Sequence, residues 1–107
     1  MTTRRQKIEA MLADDPSDIF LRYSLALEMA QEGESDASLT VLAELSRGTP
    51  PYVPAFHMAA RHLVALGRHE QARGVLREGI EEARGQGNAH AAGEMAELLA
   101  SIGDEGE

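Results

Sequence analysis

The chain has 107 residues, 43% of them hydrophobic and 4% aromatic, and a formal charge of -8 from 10 Lys plus Arg against 18 Asp plus Glu. It is long enough to bury one core, and its lack of cysteine excludes disulfides, thiol nucleophiles, Cys-ligated zinc and iron–sulfur clusters. The acidic balance opposes general binding to nucleic acid or to anionic membranes.

Apolar residues recur at helical spacing, with Pro and Gly clusters between the periodic segments, which predicts six helices and no strand. The first helix, over 3–14, carries Ile8, Met11 and Leu12 and stops ahead of Pro16, because the residue before a proline is pushed out of the helical region. Ser17 or Asp18 caps the second, over 18–31, which presents Phe20, Tyr23, Leu27 and Ala30 on one face and ends near Gly33. The third, over 35–47, buries Ala37, Val41, Leu42 and Leu45 and is broken by Gly48-Thr49-Pro50-Pro51. The fourth, over 53–66, carries Phe56, Ala59, Ala60, Leu63 and Leu66 up to Gly67. The fifth, over 69–84, carries Ala72, Val75, Leu76, Gly79, Ile80 and Ala83 up to Gly85-Gln86-Gly87. Asn88 caps the sixth, over 88–102, whose Met95, Leu98, Leu99 and Ile102 form a further stripe. Residues 1–103 are expected to form one all-α domain, and 104–107 a flexible acidic tail. The most apolar windows are interrupted by Glu28, Arg61 and His62, and Glu9, Asp14 and Asp15 interrupt the N-terminal stretch, so neither a membrane span nor a secretory signal is expected and a cytoplasmic location is.

The pattern repeats with a period near 34: Phe20 and Phe56 are 36 apart, Ala37 and Ala72 are 35 apart, and Ile8 precedes Val41 by 33. The second copy, Phe56-x2-Ala59-Ala60-x2-Leu63, Gly67, Ala72-x3-Leu76-x2-Gly79-Ile80, resembles a tetratricopeptide repeat. The Asp-Pro-x-Asp-x-Phe-x-Arg-Tyr-x-Leu-Ala run at 15–26 is similar to that of small stand-alone bacterial tetratricopeptide proteins. The resemblance implies an α-α superhelix of about six helices in which small residues such as Ala60, Ala72 and Gly79 let neighbouring helices approach. In the first copy, Phe20, Tyr23, Ser24 and Leu27 match the opening helix if the Glu32–Ser35 turn holds one extra residue. A rival frame matches Leu25, Ala26 and Met29 instead and puts Arg22 at the bulky apolar position; it ranks second. The family's usual Trp is missing, and Arg84 stands where a repeat-ending Pro is common.

Catalytic chemistry finds little support. His57, His62, His69 and His90 lack the i, i+3 or i, i+4 spacing that would point two rings at one ion. The pairs Asp14 with Asp15, Glu81 with Glu82 and Glu94 with Glu97 come with no apolar pocket to raise one pKa, and neither a phosphate-cradling loop nor a nucleophile elbow is present. The expectation is a non-enzymatic protein with no cofactor and no metal.

By the resemblance, the opening helices line a concave groove. His57, Met58, Arg61 and Val64 come from the second repeat, and in the preferred frame Leu21, Arg22, Leu25 and Glu28 join them from the first. Asn88, Ala91 and Met95 come from the last helix. The expected peptide-binding residues are therefore Arg22, Leu25, His57, Met58, Arg61 and Met95. Arg22, Arg61 and His57 would select an acidic segment, and Met58, Leu25 and Met95 would supply adaptable apolar contact. The Lys and Asn set with which some family members clamp a chaperone's C-terminal carboxylate is not reproduced. The alternative is a homodimer that buries the groove against another copy of the chain.

Overall fold

Six helices and no strand make up the described residues, 2–103, of the computed structural model: α1 (Arg4–Asp14), α2 (Ile19–Gln31), α3 (Ser35–Ser46), α4 (Val53–Ala65), α5 (His69–Gly85) and α6 (Ala89–Ile102). Each expected helix is present, and none is long and apolar enough to cross a membrane. The expected tail at 104–107 lies outside the described residues.

Side-chain chemistry sets the boundaries. Thr3 and Gln6 form a reciprocal capping box at the start of α1, while the Asp18 and Asn88 side chains accept the Leu21 and Ala91 backbone N–H at 2.9 and 3.1 Å. The α2–α3 and α4–α5 turns are built alike, in a geometry that Gly87 repeats between α5 and α6: Gly33 and Gly67 take positive φ values of 85° and 76°, and the next residue's N–H reaches back to the preceding helix, from Glu34 to the Met29 carbonyl at 2.9 Å and from Arg68 to that of Leu63 at 2.8 Å. Glycine is favoured at both positions because a Cβ would strain the left-handed conformation.

These twin turns lie 34 residues apart, and the buried side chains keep the same interval: Ile8, Leu42 and Leu76; Ala26 and Ala60; Ser38 and Ala72. The first repeat therefore follows the frame ranked second, with no extra residue in the turn. Ala37 is exposed and Phe20 is 67% exposed, whereas Ser38 is fully buried. Ser38 fits a slot sized for alanine because its hydroxyl donates to the Ala26 carbonyl across the hairpin at 2.7 Å, which satisfies the buried oxygen. Arg22 occupies the slot of Phe56. Its side chain is half-buried and its guanidinium donates to Glu44 on α3 at 2.9 Å, which makes a charged residue acceptable there.

Consecutive helices pack on one another throughout, and α4 also touches α6. One cluster, with Phe56, Leu63, Leu76, Ile80, Ala83 and Met95 among its members, joins α4, α5 and α6. A second, of Ala26, Leu42, Leu45, Ala55 and Ala59, joins α2, α3 and α4. Gly79 is needed at the first: a Cβ there would stand 2.6 Å from the Phe56 Cβ and 2.7 Å from the Met95 sulfur. Gly74 and Gly93 face open space, and nothing in the structure explains them. Buried Arg73 donates to the Gly103 carbonyl at 3.2 Å and so ties the end of α6 to α5.

Candidate peptide-binding groove

In the 34-residue register, the sides of α2 and α4 turned into the fold are Arg22 with Phe56, Leu25 with Ala59 and Ala26 with Ala60. The opposite side of α4 carries His57, Met58 and Arg61, and one period earlier the same places on α2 are held by Tyr23, Ser24 and Leu27. His57 and Met58 are half-buried and Arg61 is exposed.

The structure brings three of the six expected residues together and removes three. His57, Met58 and Arg61 share the α4 face. Arg22 is turned to Glu44 on α3, and Leu25, half-buried, stands at the place of Ala59 because the register differs from the one expected. Met95 is fully buried beside Gly79 in the core, where its flexible thioether fills the space a glycine leaves. From the wider set, Glu28 is paired with Arg4 at 3.5 Å, the Asn88 side chain is spent on capping α6, and Ala91 packs against the core.

Tyr23 and Tyr52 take the vacated places. Their rings meet edge to face, with centroids 5.4 Å apart and planes inclined at 73°, and both pack with Met58 on the α2–α3–α4 cluster. Burial raises the pKa of the Tyr23 hydroxyl, the neighbouring Tyr52 adds to the rise, and the positive charge of Arg61 opposes both. Arg61 is thus close enough to Tyr23 to act on its charge. Among the described residues neither hydroxyl makes a hydrogen bond and Arg61 makes no ion pair, so the three polar groups have no carboxylate partner here, and beside them lies the apolar surface of Met58 and Leu27. Tyr23, expected on the packed face of α2, does pack on the cluster, whereas apolar spacing gives Tyr52 no role. The spacing of Gly33 and Gly67, which share one turn geometry, is the signal that fixes the register.

His62, the next residue along α4, is held neutral: burial, and secondarily the charge of Arg61, lower its pKa, and its buried Nδ1 has no partner among the described residues. No group of three or more His, Asp or Glu among the described residues is placed to hold a metal ion. On the other side of α4 a cleft of about 510 Å³ runs between α3 and α5, floored by Ala55 and Ala59, walled by Leu39, Ala43 and Val75, and crossed near one end by an Asp36–Arg68 ion pair at 3.5 Å. Its charged residues carry both signs and select no ligand chemistry.

Comparison with known proteins finds no match: no family model, no curated protein and no solved structure resembles the chain closely enough to be paired with it.

Proposed function

We propose that the protein is a tetratricopeptide-type helical repeat that works without catalysis, holding a segment of a partner protein against the face shared by α2 and α4. The exact 34-residue period of buried residues and of the Gly33 and Gly67 turns supports the repeat assignment. The observation that carries the binding role is the set of Tyr23, Tyr52 and Arg61, polar groups without a carboxylate partner among the described residues, in a chain whose net charge is -8.

Such a set fits an acidic side chain. A carboxylate accepts hydrogen bonds from the guanidinium and the phenol groups, and an adjoining apolar residue of the partner rests on Met58 and Leu27. A binding site that is already folded loses little freedom on closing over its ligand, which favours a helical repeat as a scaffold.

The test uses a property of the sequence: two tyrosines and no tryptophan, so intrinsic emission reports on Tyr23 and Tyr52 alone. An array of ten-residue peptides with a central Leu flanked by Asp and Glu or by Lys and Arg supplies probes for fluorescence titration. Acidic peptides are expected to change the tyrosine emission, and Arg61→Glu to weaken them by about tenfold, a change of roughly 1.4 kcal/mol. Emission that no peptide alters, or affinities that Arg61→Glu leaves untouched, would move recognition off this face. Light scattering that showed a tight dimer with these tyrosines covered would favour self-association.

A further inference from the structure

Among the described residues most of the large apolar side chains are covered, but four are exposed: Met11 at 48%, Ile19 at 44%, Phe20 at 67% and Leu66 at 42%. Three of them fall within ten residues, in the last turn of α1 and the first turn of α2, and so lie at the connected end of that helix pair. Leu66 stands apart as the C-cap of α4. Single exposed apolar residues are ordinary, whereas a cluster at one end marks a surface that gains by being covered. Phe20 is the most exposed of the four, one turn ahead of Tyr23 and 34 residues before exposed Pro54.

Three carboxylates lie in this segment, with Lys7 one turn before Met11 and Arg22 one turn after Ile19. Asp14 ends α1, Asp15 is its C-cap and Asp18 caps α2. Asp18 accepts the Leu21 N–H at 2.9 Å and Asp15 accepts the Ser17 hydroxyl at 3.5 Å, but none of the three carboxylates is in an ion pair among the described residues. Elsewhere on the first three helices and their turns the acids are in ion pairs: Glu9, Glu32 and Glu34 share Arg5, Glu28 pairs with Arg4, Glu44 with Arg22 and Asp36 with Arg68. The exposed apolar residues are therefore bordered by the three carboxylates of this region that have no ion pair among the described residues.

We propose that this tip docks a basic segment of a partner protein, with Met11, Ile19 and Phe20 covering an apolar anchor and Asp14, Asp15 and Asp18 taking up the flanking Lys or Arg side chains. Charge complementarity selects this occupant. The three carboxylates repel an anionic lipid surface, and a second copy of the chain is itself acidic at a net charge of -8. The surface is small beside the roughly 800 Å² per partner of a standard stable interface, so the contact is a weak and reversible one. It adjoins the Tyr23–Tyr52–Arg61 set along α2 but prefers the opposite charge, so acidic and basic probes tell the two assignments apart.

The probe is a fluorescein-labelled fourteen-residue amphipathic peptide of Leu and Lys, followed by anisotropy, with the matching Leu and Glu peptide and vesicles containing anionic lipid run alongside. The Leu/Lys peptide is expected to bind, and Phe20→Ser and the double variant Asp14→Asn, Asp15→Asn are each expected to weaken it at least about fivefold. Leu66→Ser, an apolar loss of similar kind outside the tip, should leave it unchanged. Met11→Ser repeats the test should Phe20→Ser fail to fold, which circular dichroism would show. Equal affinity in wild type and Phe20→Ser would make the binding a diffuse effect of net charge and overturn the proposal. A preference for the Leu/Glu peptide, or Phe20-dependent binding to the vesicles without binding to the Leu/Lys peptide, would overturn it as well.

Discussion

The two halves of the molecule occupy one register with different chemistry. Around α5, Phe56, Ala72 and Gly79 are apolar and close-fitting, and ten buried residues of α4, α5 and α6 join in one cluster. One period earlier the same places hold Arg22, Ser38 and Leu45, the cluster has five buried residues, and polar contacts complete the fit: Ser38 to the Ala26 carbonyl and Arg22 to Glu44. At α1 the apolar contribution shrinks to buried Ile8, while Arg5 is tied to Glu9, Glu32 and Glu34 and Arg4 to Glu28. The carboxylates of Glu32 and Glu34 raise the pKa of Arg5, so its charge is retained at any ordinary pH. A fixed backbone spacing can thus be held by dispersion and burial or by paired charges, and only the first kind is insensitive to salt.

That contrast is most sharply tested at the equivalent triplet Leu76, Leu42 and Ile8. Leu76→Ala is expected to cost about 3–5 kcal/mol, because a fully buried site between packed helices cannot collapse around the cavity. Leu42→Ala should fall in the same range or slightly below. Ile8→Ala should cost least, since its penalty is capped by the free energy of releasing α1 alone. Denaturant midpoints rank the three, and equal losses would show that α1 is as firmly built in as α5.

The next effect belongs to the C-terminal half. Gly79→Ala gains helix propensity of roughly 1 kcal/mol but drives a methyl group against Phe56 and Met95, so a net loss of about 1–3 kcal/mol is expected by thermal or chemical unfolding. A more stable variant would mean that α4 and α6 yield at this joint, and that the C-terminal half is less closely fitted than its distances indicate.

The smallest effect is local and electrostatic. In Arg5→Gln, or in wild type at 1 M salt, backbone amides of α1 should exchange with deuterium several-fold faster while those of α5 keep their rates. Unchanged exchange in α1 would assign its docking to Ile8 rather than to the arginine.

Much of this was legible in the residues. All six helices follow from apolar spacing, and the caps at Asp18 and Asn88 from the chemistry of their side chains. The second repeat and the need for a small residue at Gly79 were readable because its slots are filled by the residue types that fit them without help. The first repeat was misread by matching Phe20 to Phe56, since an aromatic residue is expected inside and an arginine outside. Three of the six expected groove residues, Arg22, Leu25 and Met95, were lost to that register or to burial, while Tyr52, on the connector ahead of α4, carries no periodic signal that would place it beside Tyr23.

The sequence by itself determined the all-α character, the helix limits and the period, because these depend on neighbours three and four residues away along one helix. Which of two nearly equal frames the first repeat adopts was decided by tertiary structure, with the 34-residue spacing of Gly33 and Gly67 as its trace in the sequence. That choice depends on partners distant along the chain, Glu44 for Arg22 and the Ala26 carbonyl for Ser38, and a buried polar group is tolerable only where such a partner is already in position.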